Sequence, residues 1–122
     1  MPKLPDFERS TCPVAVCLDI LGDKWTLLVV RDILLGARRF SDFEASPEAV
    51  PTNILSDRLK KLVEHGIVEK KAYSERPVRY EYRLTRKGHA LRKVLKDMMD
   101  WGNQYYPETA TVPGEGVSTR RK

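Results

Sequence analysis

The chemistry this sequence can do is ionic rather than catalytic. Between Pro51 and Gly88 it places ten Lys or Arg, from Arg58, Lys60 and Lys61 through Lys70, Lys71, Arg76, Arg79 and Arg83 to Arg86 and Lys87, against five acids. That segment carries +5, the net charge of the whole chain, so the remaining residues balance at twelve against twelve. A basic excess confined to one segment is the electrostatic footprint of a site for a polyanion, and double-stranded DNA is the polyanion it suits. Neither histidine, His65 or His89, stands in a metal-ligand pattern, and neither a Gly-rich phosphate loop after a strand nor a nucleophile elbow occurs. The sequence therefore predicts no enzyme, no metal site and no cofactor.

The elements that must position those cations follow from periodicity. Leu55, Leu59, Leu62 and Val63 share one helical stripe while Asn53, Asp57, Lys60 and Lys61 project from the other side, which predicts an amphipathic helix over 52–65. Thr52 stands at its N-cap position, and Gly66 supplies the left-handed residue that ends it. Ile67 to Tyr73 then reads as a strand, Ser74 to Pro77 as a turn, and Val78 to Leu84 as a second strand. Its alternation turns Arg79, Glu81 and Arg83 outward and Tyr80, Tyr82 and Leu84 inward. A short reading helix followed by a basic hairpin over 67–84 is the order of a winged helix-turn-helix. Phe40 and Phe43 mark a short preceding helix, N-capped at Ser41, and Pro47 and Pro51 restrict the turn between the two helices.

The flanks complete a mainly α fold with a small β-hairpin, α+β in class. A helix over 13–21, with Pro13 in its first turn, ends at Gly22. Asp23 caps a very apolar helix running to a stop at Gly36, and so many Leu, Val and Ile residues require it to be central. Past the hairpin, Thr85 caps a long helix to about Tyr105, on which Leu91, Val94, Leu95, Met98, Trp101 and Tyr105 recur at steps of three and four. That stripe is too long for one small core, and a homodimer would cover it, with the first and last helices as the dimerisation elements. Folding of the last helix onto the 13–21 helix is the alternative. Residues 1–11 read as a flexible segment, 12–106 as the one domain that 122 residues with 41% apolar content allow, and 107–122 as a disordered tail. With no membrane-span run and no signal-like N-terminus, the expected location is cytoplasmic and no membrane partner is expected.

Two cysteines complete the inventory. Cys12 and Cys17 are too few to staple a secreted scaffold, and on one helix they point about 140° apart, against a disulfide between them. Cys12 lies near a helix N-terminus, which favours its thiolate, whereas Cys17 sits in an apolar helix and reads as packing.

Six groups of residues carry a family resemblance: Cys12-Pro13-Val14; Leu21-Gly22-Asp23-Lys24-Trp25; Arg39-Phe40-Ser41-Asp42-Phe43; Leu55-Ser56-Asp57-Arg58-Leu59 with Leu62 and Gly66-Ile67-Val68; Tyr80-Glu81-Tyr82-Arg83-Leu84-Thr85 with Gly88; and Trp101-Gly102. In that order they resemble the HxlR-type regulators, MarR-related dimeric winged helix-turn-helix proteins. Glu44 to Val50 departs from the family pattern by lacking a Leu-rich ending to the first helix of the pair. The resemblance implies that Thr52, Asn53, Ser56, Asp57 and Lys60 lie at or near base edges. It also implies that Arg39, Ser41, Arg58, Arg76 and Arg79 hold phosphate or reach the minor groove. Arg58, at the border of the buried stripe, has an ion pair as its alternative role. Some members use a cysteine at the position of Cys12 as a thiol sensor. The expected function is thus a dimeric, sequence-specific regulator, a repressor at an inverted-repeat operator, with a redox or small-molecule response possible. A winged helix used only for protein-protein interaction is the rival from another class, and steeply salt-dependent binding to DNA would separate the two.

Overall fold

The computed structural model describes residues 10–108, so most of the predicted 1–11 and 107–122 segments lies outside the described residues. Helices α1 (Pro13–Leu21), α2 (Thr26–Leu34), α3 (Phe40–Glu44) and α4 (Thr52–Glu64) precede a hairpin of strands β1 (Val68–Glu75) and β2 (Val78–Leu84). Helices α5 (Arg86–His89) and α6 (Leu91–Tyr105) complete the chain.

The core is built where the periodicities converge. Val29, Val30 and Ile33 of α2 meet Phe43 of α3, Leu55, Leu59 and Leu62 of α4, and Ile67, Val68 and Leu84 at the base of the hairpin. Phe43 is wholly buried, and the Tyr82 ring packs edge-on against it with centroids 6.2 Å apart. α2 is central, as its apolar composition requires. In contrast, neither α1 nor α6 contributes a fully buried residue. Among the described residues no helix is long and apolar enough to cross a membrane, and no cluster of three or more His, Cys, Asp or Glu could hold a metal ion.

Several local expectations are corrected. Thr52 is the first residue of α4 and the N-cap is Pro51, whose extended backbone carbonyl accepts from Leu55 N–H at 2.8 Å. Ser41 lies inside α3 rather than capping it. The N-cap residue is Arg39, and the carboxylate of Asp42 in the first turn reaches back to accept from the backbone N–H groups of Arg38 at 2.9 Å and Arg39 at 3.0 Å. α2 begins at Thr26 with Trp25 as its N-cap residue, but Asp23 does supply the capping oxygen, accepting from Trp25 N–H at 2.9 Å and Thr26 N–H at 3.2 Å. β1 starts at Val68 because the Ile67 carbonyl is taken by Thr85, through its N–H at 3.0 Å and its hydroxyl at 3.1 Å, and it continues past Tyr73 to Glu75.

The long final helix is interrupted. Thr85 caps only α5, its hydroxyl accepting from Gly88 N–H at 3.1 Å, and Ala90 separates α5 from α6. Gly88 is the reason the chain can pass here: a Cβ on it would lie 2.2 Å from the Ile67 carbonyl oxygen. Cys17 is exposed rather than packed, as is Cys12. Tyr80, expected to face inward, is 40% exposed because the hairpin tip projects beyond the core, while its neighbour Glu81, expected to face outward, has only 17% side-chain exposure and pairs with the exposed Arg83.

Candidate nucleic-acid interface

α3, the turn after it and α4 form the helix-turn-helix, and the turn is held by an ionic clamp. Arg31 of α2 donates to both carboxylate oxygens of Glu48, at 2.6 and 2.9 Å, and to Asp32 at 2.8 Å. The bond from Arg31 holds Glu48 at a pKa of about 2 in spite of burial, so the pair stays ionised. Val50 is buried behind the turn, and Ala49 takes a positive φ of 52° to reach α4. α3 is only five residues long, the structural counterpart of the missing Leu-rich ending at Glu44 to Val50.

α4 presents Thr52, Asn53, Ser56, Asp57, Lys60 and Lys61 to solvent while Leu55, Leu59 and Leu62 face the core. Asn53, Ser56 and Lys60 make no side-chain hydrogen bond or ion pair among the described residues, and Thr52 makes a single long one, 3.4 Å to Glu44. Two of the expected contact residues are differently engaged. Arg58 donates through Nε to Asp23 at 2.8 Å and pairs also with Asp57, which in turn lies 3.6 Å from Lys61 Nζ. The guanidinium of Arg58 therefore ties α4 to the N-terminal end of α2, the alternative its place on the helical wheel allowed. Desolvation works to raise the Asp23 pKa, but hydrogen bonds from Thr26, Arg58 and Trp25 N–H outweigh it and bring the value to about 2.

The wing stands beside α3. Its strands pair from Val68↔Leu84 to Glu75↔Val78, with a shift between Ala72 and Ser74 that leaves Tyr73 as the extra residue of a bulge. The bulge re-aims the Tyr73 ring, and the Arg39 guanidinium stacks over it at 4.0 Å from the centroid. Sequence alternation cannot reveal that contact, since it counts every residue of a strand as paired. Nearby, Lys70 Nζ lies 4.2 Å from the Tyr80 ring centroid. Arg76 and Arg79 at the turn end are exposed and unpaired among the described residues. Arg38, which precedes Ser41 with Arg39 where side chains and helix amides could together meet a phosphate, is instead structural: its Nη1 donates to the carbonyls of Ile33 and Ala37, at 2.9 and 2.8 Å, and its own carbonyl accepts from Tyr82 N–H at 2.7 Å. The structure thus brings Arg39, Ser41, Arg76 and Arg79 to α3 and the wing, and Thr52, Asn53, Ser56 and Lys60 to the outer face of α4.

Outside this surface, Cys12 is the N-cap residue of α1, with its thiol exposed. Hydrogen bonding to the backbone N–H groups of Ala15 and Val14 lowers its pKa from the ordinary thiol value. Leu91 and Leu95 are half-buried against the core, whereas Val94, Met98, Trp101 and Tyr105 are 42–61% exposed. Val14 and Leu18 of α1 are similarly exposed.

Comparison with known proteins agrees with this architecture. The sequence profile described as HxlR-like helix-turn-helix matches residues 20–110. An HTH-type transcriptional regulator of Mycobacterium tuberculosis is 39% identical over 100 residues, 82% of this chain and 63% of that one, so the chain spans less than two thirds of that relative's length. The HTH-type transcriptional regulator YodB of Bacillus subtilis is 32% identical over 115 residues, 93% of this chain and 98% of YodB. Among solved structures, the redox regulator HypR in its reduced form superposes with a TM-score of 0.69 at 30% identity, covering 75% of this chain and 91% of HypR.

Proposed function

The chain belongs to the HxlR-like helix-turn-helix family, and from that premise we propose that it is a dimeric, sequence-specific DNA-binding transcriptional regulator that represses by occupying an inverted-repeat operator. One observation carries the reading: the outer face of α4 and the tip of the wing keep polar and cationic side chains uncommitted within the protein, next to an interior that is otherwise hydrogen-bonded and ion-paired. Asn53, Ser56 and Lys60, with Thr52, are the groups available to base edges. Arg39, Ser41, Arg76 and Arg79 are those available to phosphate or the minor groove. Asp57 and Arg58 support α4 through their ion pairs.

The dimer rests on area. Val94, Met98, Trp101 and Tyr105 on α6 and Val14 and Leu18 on α1 form apolar surface that a second copy would remove from water. A two-fold dimer places its two reading helices on half-sites about one helical turn, or a multiple of it, apart. Cys12 is the position where an oxidant or electrophile would act, consistent with the description of HypR as a redox regulator. Selection from random duplexes followed by footprinting tests the whole reading. A recovered inverted repeat whose affinity falls steeply with salt supports it, and absence of salt-dependent duplex binding would leave only a protein-protein module.

A further inference from the structure

α6 has two unlike flanks. At 100° per residue, the exposed stripe of Val94, Met98, Trp101 and Tyr105 lies about 140° around the helix from the flank of Arg92, Leu95, Lys96 and Met99. That second flank closes a cleft of about 370 Å3 against the C-terminal end of α2. Leu34, Leu35, Leu95 and Met99 give the cleft an apolar floor. Its charged lining is Arg31, Arg92 and Lys96, with no acid among the lining residues.

The three cations are not equivalent. Arg31 is saturated by Glu48 and Asp32. Arg92 makes no side-chain hydrogen bond or ion pair among the described residues, and Lys96 holds only a solvent-exposed pair with Asp100 at 2.9 Å, which an incoming anion can exchange. Of the carbonyls ending α2, which would repel an anion, that of Ile33 is taken by the Arg38 guanidinium at 2.9 Å. An apolar floor under two available cations is complementary to an amphipathic anion, a hydrocarbon body ending in a negatively charged group.

We propose that the cleft between the C-terminal end of α2 and the Arg92–Met99 flank of α6 binds a small amphipathic monocarboxylate, its chain on Leu34, Leu35, Leu95 and Met99 and its carboxylate between Arg92 and Lys96. This goes beyond the DNA-binding reading and does not depend on it, because Arg92, Lys96 and Met99 lie outside the stripe assigned to the dimer, Leu95 is half-buried against the core rather than exposed with that stripe, and the binding can be read without DNA.

The test is a titration of the full-length, methyl-labelled protein with octanoate, octanol and octylammonium, followed by the NMR signals of Leu, Val and Met methyl groups. Octanoate is expected to shift Leu34, Leu35, Leu95 and Met99 saturably, octanol about tenfold more weakly and octylammonium not at all. Replacing Arg92→Gln and Lys96→Gln together, both at exposed positions, is expected to weaken octanoate about tenfold and leave octanol unchanged. Octanol binding as tightly as octanoate, no saturation by octanoate below roughly 10 mM, or shifts confined to Val94 and Met98 methyls would each overturn the proposal.

Discussion

Asp23 Oδ2 lies 2.8 Å from Arg58 Nε, so one carboxylate joins the start of α2 to the middle of α4 across 35 residues of sequence. The same carboxylate caps α2 through Trp25 N–H and Thr26 N–H. Its pKa of about 2 in the folded protein lies below its ordinary value of 3.8, so the stabilisation is complete above the ordinary value and is lost as pH falls toward 2. Discounted for a side chain about one third exposed, the effect is about 1 kcal/mol. Denaturant unfolding of wild type and Asp23→Asn at pH 7 and pH 2 should show the wild-type advantage at pH 7 shrinking by that amount at pH 2. An advantage that grows on acidification would contradict the pairing.

For the wing, Arg79→Ala should weaken binding to specific and random duplexes alike and reduce the salt slope by about one unit, because a phosphate contact carries no sequence information. Asn53→Ala should instead relax preference at one base pair at a cost of about 1 to 3 kcal/mol. If Arg79→Ala harms only the specific complex, the wing reads bases and the assignment of roles is reversed.

For the interface, replacing Met98 and Trp101 together by Asp should yield monomers in sedimentation and abolish specific operator binding. Both side chains are more than half exposed in the single chain, so the substitutions cost its own core little. A double variant that stays dimeric and binds normally would remove α6 from the interface.

Diamide or quinone treatment should abolish operator binding in wild type and Cys17→Ser but not in Cys12→Ser, since the Cys12 thiol is exposed at an N-cap and favoured as thiolate. Unchanged binding in all three proteins would show that Cys12 has no sensing role.

Gly88→Ala should destabilise the fold by roughly 2 kcal/mol or more, since the added methyl meets the Ile67 carbonyl oxygen at 2.2 Å and Leu84 Cδ2 at 2.8 Å and backbone must shift. Thermal unfolding measures it, and an unchanged midpoint would mean that α5 can withdraw from the hairpin base at little cost.

The parts of this molecule that repeat locally are the parts its sequence makes legible. Leu55, Leu59 and Leu62 mark one face of α4 by their spacing, and Gly66 ends that helix at φ 73° as its composition predicts. The N-caps lie one or two residues before Ser41 and Thr52, at Arg39 and Pro51, because those residues keep extended backbones and neither helix uses a side-chain oxygen to cap its free amides, so the polar residue types that mark a cap in sequence mislead here. The clamps of the site are long-range. Arg31 with Glu48, Arg58 with Asp23 and Arg39 with Tyr73 each join residues whose separation follows no period, and the last also needs a bulge. The single predicted final helix fails at Ala90 because periodicity registers the stripe from Leu91 onward but not the backbone approach of Gly88 to Ile67.

The hydrogen bond from Tyr82 N–H to the Arg38 carbonyl makes the wing a lever. It ties β2 to Arg38, two residues before α3, while Val78 lies four residues further out, about 13 Å along an extended strand. A rotation of about 10° at that fulcrum carries Arg79 and the tip through roughly 2 Å, the difference between touching a phosphate and missing it. The Arg39 guanidinium stacked on Tyr73 is the second tie, nearer the tip, so the geometry that sets where Arg79 stands is shared between one hydrogen bond and one ring contact.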